Sequence, residues 1–333
     1  VIDVMNAMGY DAMEIGNHEF NYGQGVLAER RDEANFPFLA ANIVVTATGK
    51  TPPFCQPYVI KEVMGKRIAI FGLITPDTPV VTHPRNVIGL TFLDPIETAA
   101  KLVPKLRPKA DLIIALTHIG YDMDRQLAEE VGGIHVIVGG HSHTKIEVPE
   151  RVGNEGGNAI IVQAWENSKV LGRLDLEMRG KAVVRFSGGL IPVTADVLED
   201  PDVKTIIEPY ATELTARMSE VVGTTLVALE GRRTQIRTQE TNLGNLVADM
   251  MRWAAGSDVQ IALENGGGIR WHLLFPAGPI TRGDVYTLLP FANTLVMMDL
   301  TGAQIKLALE NGVSKYPSAD GRFPQVSGLR FTF

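Results

Sequence analysis

The sequence predicts an α/β protein built from two domains, and three observations support this prediction. The chain has 333 residues, which exceeds the usual size of a single domain. In its first half, apolar runs of strand length alternate with helical patterns, as they do in layered α/β folds. Near Gly188 this alternation stops, and a long polar-faced helical pattern precedes a second set of elements.

Five apolar runs in the first half have the length and composition of buried strands. Helical patterns lie between them at 94–106 and 124–132. Strands that are apolar on both faces favour a sheet that is covered on each side. The predicted strands occupy residues 12–15, 67–75, 110–120, 134–144 and 159–165.

The second half begins with the pattern of a linker helix at 200–223, which starts at Asp-Pro and is followed by glycine. Two further helices are predicted, one at 242–255 with Asn242 as its N-cap and one that starts at Thr301. The predicted division is residues 1–195 for the first domain, 196–223 for the linker helix and 224–333 for the second domain.

Charge and composition exclude several classes of protein. The net charge is −7 and no basic run is present, which argues against binding to polymeric nucleic acid. The longest apolar runs are far too short to span a membrane. Cys55 is the only cysteine and excludes an internal disulfide. An anionic small molecule therefore needs metal ions or a few placed arginines to bind here.

Side chains that bind metals stand where three of the predicted strands end. Asn17 and His18 follow the first strand, His118 ends another, and His141 and His143 follow a third. The carboxyl ends of parallel strands meet at one edge of a sheet, so these side chains should converge. A single histidine at a strand end is more often structural, but four together favour a metal site for Zn, Mn or Fe.

These motifs, in this order, resemble the 5′-nucleotidase family, which joins a calcineurin-type metallophosphoesterase domain to a C-terminal nucleotide-binding domain. The resemblance covers nearly the whole chain. It implies a four-layer αββα metallophosphatase sandwich, a linker helix and a smaller α/β substrate-binding domain. The motifs are GNHEF at 16–20, THIG at 117–120, GGHSHT at 139–144, ETNLGNLVADMM at 240–251, NGGGIR at 265–270, ITRGDVYTLLPFANTLV at 280–296 and GRFPQVSGLR at 321–330.

The resemblance implies two divalent metal ions, which would be Zn, Mn or Fe. By motif, Asn17, His118 and His141 match ligands of one ion. His143 matches a ligand of the other, and His18 matches the histidine that contacts the phosphate. The family's remaining ligands come from Asp-x-His and Gly-Asp motifs, which are expected upstream because the chain starts and stops within predicted elements.

Asn21 stands where many members of the family have aspartate. Its amide oxygen is predicted to accept a hydrogen bond from His18, although it adds no negative charge beside the imidazole. The form GNHEFNYG resembles relatives that cleave 2′,3′-cyclic nucleotides and 3′-nucleotides. The NGGGIR and LPF forms resemble 5′-nucleotidases, so the two halves favour different substrates.

In the second domain, the resemblance assigns five residues to the substrate. Arginine binds phosphate bidentately, and glycine lets backbone approach a ligand closely. The family matches are Arg237 and Arg270 for the phosphate, Asn265 beside the nucleoside, Gly267 in the glycine turn and Phe291 against the base.

Other polar side chains are interpreted as structural. His135 opens a strand, and His272 is expected in a loop that follows Arg270. Asp122 and Asp124 follow His118 and are expected to cap a helix or to orient His118 rather than to bind metal.

The predicted function is hydrolysis of nucleoside 5′-monophosphates to nucleoside and phosphate with two metal ions. The alternatives within the enzyme class are a 2′,3′-cyclic-nucleotide 2′-phosphodiesterase with 3′-nucleotidase activity and a UDP-sugar hydrolase. The alternative from another class is a non-catalytic nucleoside-binding protein. The family implies a periplasmic, secreted or cell-surface location and a small-molecule nucleotide or nucleoside partner, and the sequence sets no oligomeric state.

Overall fold

The computed structural model describes residues 1–154, 157–271, 273–291 and 293–333. It divides into two compact units, Val1–Ile207 and Glu208–Phe333. Both units mix helices with strands, which confirms the predicted α/β class. The boundary between the units falls within a helix, and the domain limits predicted at 195 and 223 stay predictions.

The first unit contains twelve strands and five complete helices among its described residues. Its strands are β1 Met13–Glu14, β2 Phe38–Leu39, β3 Ile43–Val45, β4 Tyr58–Val63, β5 Lys66–Ile74, β6 Leu90–Phe92, β7 Leu112–His118, β8 Val136–Gly139, β9 Glu150–Asn154, β10 Gly157–Gln163, β11 Val170–Arg179 and β12 Ala182–Pro192. Its helices are α1 Ile2–Ala7, α2 Gly23–Glu33, α3 Thr78–Val81, α4 Pro95–Leu106 and α5 Tyr121–Glu130, and the boundary helix is α6 Pro201–Met218. Two 3₁₀ turns lie at Asn17–Phe20 and Pro84–Val87.

The main sheet has six strands in the order β4-β5-β7-β8-β10-β9. The neighbours β5, β7, β8 and β10 are parallel, and they correspond to four of the five predicted strands. The fifth predicted strand is β1, which instead pairs with β2 in a separate two-stranded sheet. The carboxyl ends of the four parallel strands therefore share one edge.

Apolar side chains cover both faces of the main sheet. On one face, Phe71 and Ile113 pack with Val103 of α4 and Leu127 of α5. On the other face, Ile74 belongs to a second core that contains residues of β1 to β3 and of α2. Successive residues of a strand point to opposite faces, so this alternation gives the order helix, sheet, strands, helix. This order is the αββα sandwich that the resemblance implied.

The second unit has a core of its own and three pairs of antiparallel strands, β13 with β17, β14 with β16 and β15 with β18. Its strands are β13 Val221–Thr225, β14 Leu229–Glu230, β15 Ala262–Asn265, β16 Leu274–Phe275, β17 Gly278–Thr281 and β18 Pro324–Ser327. Its helices are α7 Arg233–Ile236, α8 Asn242–Ala255, α9 Arg282–Leu288 and α10 Gly302–Val313. The core contains Leu229, Ile236, Leu243, Val247, Ile269 and Phe275.

The cap of α8 differs from its prediction by one residue. Thr241 is the N-cap, and its hydroxyl accepts a hydrogen bond from the Gly244 amide at 3.0 Å. Asn242 instead accepts from the Glu230 amide at 2.7 Å and donates to the Ala228 carbonyl at 2.8 Å. The predicted N-cap was wrong because these bonds engage the Asn242 side chain with the strand β14.

No helix within the described ranges is long and apolar enough to cross a bilayer.

Candidate functional site

The structure brings Asn17, His118 and His141 together at the carboxyl edge of the main sheet. The Asn17 amide oxygen lies 2.8 Å from Nε2 of His118. The ring centroids of His118 and His141 are 4.9 Å apart. His118 ends β7 and His141 follows the neighbouring strand β8, so the parallel register produces this convergence.

The environment of His118 keeps its imidazole neutral. Burial lowers the pKa of His118 to about 4, and the neighbouring His141, His18 and His143 contribute to this decrease. Burial also lowers the pKa of His141, followed by the effects of His143 and His18. A neutral imidazole keeps the lone pair that a metal ion requires.

Two glycines allow the backbone to approach the His118 ring. A Cβ atom built on Gly16 would lie 2.9 Å from both Cε1 and Nδ1 of that ring. A Cβ atom on Gly140 would lie 3.3 Å from Nδ1. A distance of 2.9 Å between two such atoms is too short, so a side chain at position 16 would force neighbouring groups to move. The site therefore requires glycine at position 16 if the His118 ring is to keep its place.

His18 is exposed and pairs with Asn21, as the sequence predicted, but through the other end of the amide. The amide nitrogen of Asn21 lies 3.2 Å from Nδ1 of His18. An amide nitrogen only donates, so Nδ1 accepts and Nε2 carries the ring proton. The Asn86 side chain donates a hydrogen bond to the backbone carbonyl of Asn21 at 3.0 Å. This bond attaches the end of the 3₁₀ turn at Asn17–Phe20 to the other 3₁₀ turn, Pro84–Val87.

Two residues near the histidines were missed by the sequence interpretation. Glu166 lies 3.1 Å from Nδ1 of His143 through its Oε2 atom. Gln163, the last residue of β10, bonds to the turn that carries His141 and His143. The available signal was topological, because β10, the second strand after GGHSHT, pairs in parallel with β8 and ends beside the same turn.

Asp124 has a different role from the one predicted for it. Its side chain is fully buried and accepts a hydrogen bond from the Thr117 hydroxyl at 2.6 Å, rather than bonding to His118. Burial raises the pKa of Asp124 to about 7, and the Thr117 hydrogen bond opposes this rise. Neither Asp124 nor Asp122 caps α5, whose N-cap is Gly120 with φ +88° and no side-chain cap among the described residues.

The donor set suits part of a divalent metal site. An ion held by Asn17, His118 and His141 would have one amide oxygen and two imidazoles, all of them neutral. Within the described part of the chain, no three His, Cys, Asp or Glu side chains are grouped closely enough to hold an ion. These neutral donors leave the charge of a divalent ion uncompensated, so a complete metal site needs acidic ligands besides them.

In the second unit, the predicted phosphate residues also lie close together. Arg237 is only 7% exposed, and its Nε atom has no hydrogen-bond partner among the described residues. Burial lowers the pKa of Arg237, and the neighbouring Arg233 and Arg270 add to the effect. The guanidinium of Arg270 lies 5.6 Å from the ring centroid of Phe291. Such a pair of neighbouring guanidinium groups suits an anion.

The glycine turn packs against the protein's own backbone. A Cβ atom on Gly267 would lie 2.9 Å from the Cα atom of Gly321, and the Gly267 amide donates to the Gly321 carbonyl at 2.8 Å. The Asn265 side chain donates to the same carbonyl at 3.3 Å. The absence of a side chain at Gly267 therefore allows its backbone to pack closely against Gly321. The predicted contact of Gly267 and Asn265 with a nucleotide stays a prediction.

The loop that carries Arg237 is held by Gln325, which the sequence interpretation missed. The Gln325 side chain is 1% exposed and donates to the carbonyls of Ile236 at 2.9 Å and Gln239 at 2.8 Å. These bonds fix the residues on both sides of Arg237.

Replacing Arg237 with methionine should stabilise the second unit by about 1 kcal/mol, because burial of this guanidinium, whose Nε atom has no hydrogen-bond partner among the described residues, costs free energy of solvation. The same change removes the proposed phosphate contact. Urea unfolding of the variant tests the stability, and Arg233→Met, at a position beside the same loop, is the control. A lower stability for Arg237→Met would show that the guanidinium has a stabilising partner.

Two other histidines, His135 and His272, were not predicted to bind metal. His135 accepts a hydrogen bond from the Ile113 amide at 3.0 Å and lies 3.0 Å from the Lys181 carbonyl, which agrees with a structural role. The predicted loop residue His272 lies outside the described residues.

The relatives of the chain place it in the class of phosphoesterases. The family profile described as the 5′-nucleotidase C-terminal domain matches residues 221–333. The crystal structure of the 5′-nucleotidase precursor from Thermus thermophilus is 41% identical, with a TM-score of 0.83 over 99% of this chain and 68% of that one. The chain belongs to the 5′-nucleotidase family.

Two curated relatives show how the chain compares in length. The trifunctional nucleotide phosphoesterase protein YfkN of Bacillus subtilis (strain 168) is 40% identical over all of this chain. The 5′-nucleotidase of Bos taurus is 34% identical, also over all of this chain. The chain spans 25% of the Bacillus protein and 62% of the bovine one.

Proposed function

We propose that the protein is a metal-dependent nucleotidase that hydrolyses nucleoside 5′-monophosphates to nucleoside and phosphate. The observation that carries the proposal is the convergence of Asn17, His118 and His141 at one sheet edge. The resemblance of the second unit to the 5′-nucleotidase C-terminal domain supports the choice of substrate.

The residues of the first unit have distinct proposed roles. Asn17, His118 and His141 hold one divalent ion, and His143 contributes to a second. When bound, such an ion pair neutralises charge on the phosphoryl group and activates water. His18 presents the Nε2 proton to a phosphate or leaving oxygen, because Asn21 occupies its Nδ1 atom. The acidic ligands expected from Asp-x-His and Gly-Asp motifs stay a prediction, as does the choice among Zn, Mn and Fe.

In the second unit, Arg237 and Arg270 bind the anionic part of the nucleotide and Phe291 stacks on its base. The support is the desolvated state of Arg237 and the position of Arg270 over the Phe291 ring. A periplasmic, secreted or cell-surface location is part of the proposal and rests on the family alone.

A second candidate is cleavage of 2′,3′-cyclic nucleotides and 3′-nucleotides. It is favoured by Asn21, whose amide donates to His18 where an aspartate would accept. The name of the Bacillus relative, a trifunctional nucleotide phosphoesterase, supports more than one phosphoesterase activity for this site. Hydrolysis of UDP-sugars is a third substrate class for the same site.

The test is phosphate release by the full-length protein after chelation and return of Mn²⁺ or Zn²⁺. The substrates are AMP, 3′-AMP, 2′,3′-cyclic AMP and UDP-glucose, with product chromatography for the last two. Fastest turnover of AMP, lost on chelation and restored by metal, is the expected result. Preference for the cyclic or 3′ substrates supports the second candidate. No turnover together with adenosine binding would identify a non-catalytic nucleoside-binding protein.

A further inference from the structure

The turn that carries His141 and His143 has an unfavourable backbone conformation at both histidines. His141 has φ +73° and His143 has φ +56°. Residues with a Cβ atom in the left-handed region cost roughly 1–2 kcal/mol each. The surrounding structure must therefore stabilise this turn if it is to persist without a bound ion.

Gln163 makes three hydrogen bonds to the turn. Its side chain is 2% exposed, and its Nε2 atom donates to the Gly140 carbonyl at 3.3 Å. Its Oε1 atom accepts from the Ser142 hydroxyl at 3.1 Å and from the Thr144 amide. The three bonded residues alternate with the two histidines, so one amide fixes the backbone on each side of both.

Ser142 connects the same turn to α5. Its hydroxyl accepts a hydrogen bond from the Tyr121 amide at 3.0 Å, in the first turn of that helix. The turn is therefore attached both to the end of β10, through Gln163, and to the start of α5.

Glu166 acts on one of the two histidines only. Its Oε2 atom lies 3.1 Å from Nδ1 of His143, and its Oε1 atom accepts from Lys169 at 2.8 Å. This ion pair with Lys169 holds Glu166 as a carboxylate, which can only accept a hydrogen bond. Nδ1 of His143 then donates, and Nε2 keeps a free lone pair.

We propose that Gln163 and Glu166 are positioning residues that form the His141–His143 turn before any ion binds. Gln163 sets the backbone of both histidines, whereas Glu166 sets the tautomer and direction of His143 alone. The proposal rests on the proposed metal-dependent function, because it gives this preformed turn the task of holding ions.

The test compares Gln163→Leu and Glu166→Leu in the full-length protein. The first readout is the set of imidazole ¹H–¹⁵N signals of His141 and His143 in the metal-free protein, and the second is Mn²⁺ affinity by calorimetry. Gln163→Leu should move the signals of both histidines, and Glu166→Leu only those of His143. Each should weaken Mn²⁺ binding about 10- to 100-fold.

Matched variants separate positioning from general damage. Gln126→Leu removes an exposed glutamine of α5, and Glu147→Leu removes an exposed glutamate that pairs with Lys145. Both should leave the histidine signals and the Mn²⁺ affinity unchanged. Glu166→Gln keeps an acceptor for His143 and should restore most of the affinity, which a purely structural loss would not predict.

The outcomes distinguish this proposal from the proposed function. Unchanged metal-free signals for Gln163→Leu and Glu166→Leu, in folded protein, would overturn the positioning role whatever the Mn²⁺ result. A wild-type protein that binds no Mn²⁺ would overturn the metal-dependent function, while the metal-free signals would still decide the positioning role.

Discussion

Replacing Gly16 with alanine should lower metal-dependent phosphate release about 100-fold in a protein that still folds, since small displacements of catalytic groups have effects of this size. The added Cβ would lie 2.9 Å from the His118 ring and 3.0 Å from the Glu19 carboxylate. That carboxylate accepts a hydrogen bond from the Gly16 amide at 2.7 Å. The His118 ring must therefore shift from its position beside Asn17, or the Glu19 carboxylate must move.

Backbone strain does not contribute to this effect. Gly16 has φ −94° and ψ 178°, an extended conformation that any residue adopts. The ring has little room to retreat, because Gly140 approaches its Nδ1 atom and the His118 carbonyl accepts from Thr75 at 3.0 Å. The loss of activity would thus report the position of one imidazole.

Gly25→Ala is the matched control for this prediction. A Cβ atom on Gly25, within α2, would meet no heavy atom of the described residues within 4 Å. Alanine in a helix interior is favoured over glycine by roughly 0.5–1 kcal/mol, so this variant should be slightly more stable and equally active. Full activity of Gly16→Ala, measured as phosphate release from AMP with Mn²⁺, would show that His118 needs no fixed position.

The sequence predicted the strand-end histidines because their placement follows from hydrophobic period and parallel pairing alone. The side chains of His118 and Asn17 lie in contact, as the predicted convergence of the strand ends requires. Gln163 and Glu166 were not predictable in this way, since their roles depend on the left-handed turn at 140–144 and on which strand neighbours β8. The amide orientation of Asn21 likewise depends on local contacts that no spacing encodes.

Burial was the other quantity that the sequence did not provide. Asp124 stands in a polar stretch next to the exposed Asp122, yet the helical turn directs it under the sheet edge, where it is fully buried. Neighbouring charged residues on a helix face different directions, so composition alone could not separate an exposed carboxylate from a buried one. This difference has a measurable consequence for stability.

Asp124→Asn should stabilise the protein by an amount that grows with pH and reaches about 4 kcal/mol above pH 7. The folded pKa of Asp124 is about 7 because the carboxyl is buried, whereas an unfolded aspartate titrates near 3.9. Between these values the folded state holds a proton that the unfolded state has lost. Wild-type stability therefore falls as pH rises through this window and levels off above it.

An asparagine cannot ionise, so it avoids this cost while its amide oxygen keeps the hydrogen bond from the Thr117 hydroxyl. Urea unfolding at pH 5 and pH 8 measures the change, and the gain should be several-fold larger at pH 8. Asp122→Asn, in the same helical turn, is the control and should show no such growth. A gain that is equal at both pH values would mean that Asp124 is ionised in the folded state, with a cation or donor beside its Oδ2 atom, which has no partner among the described residues.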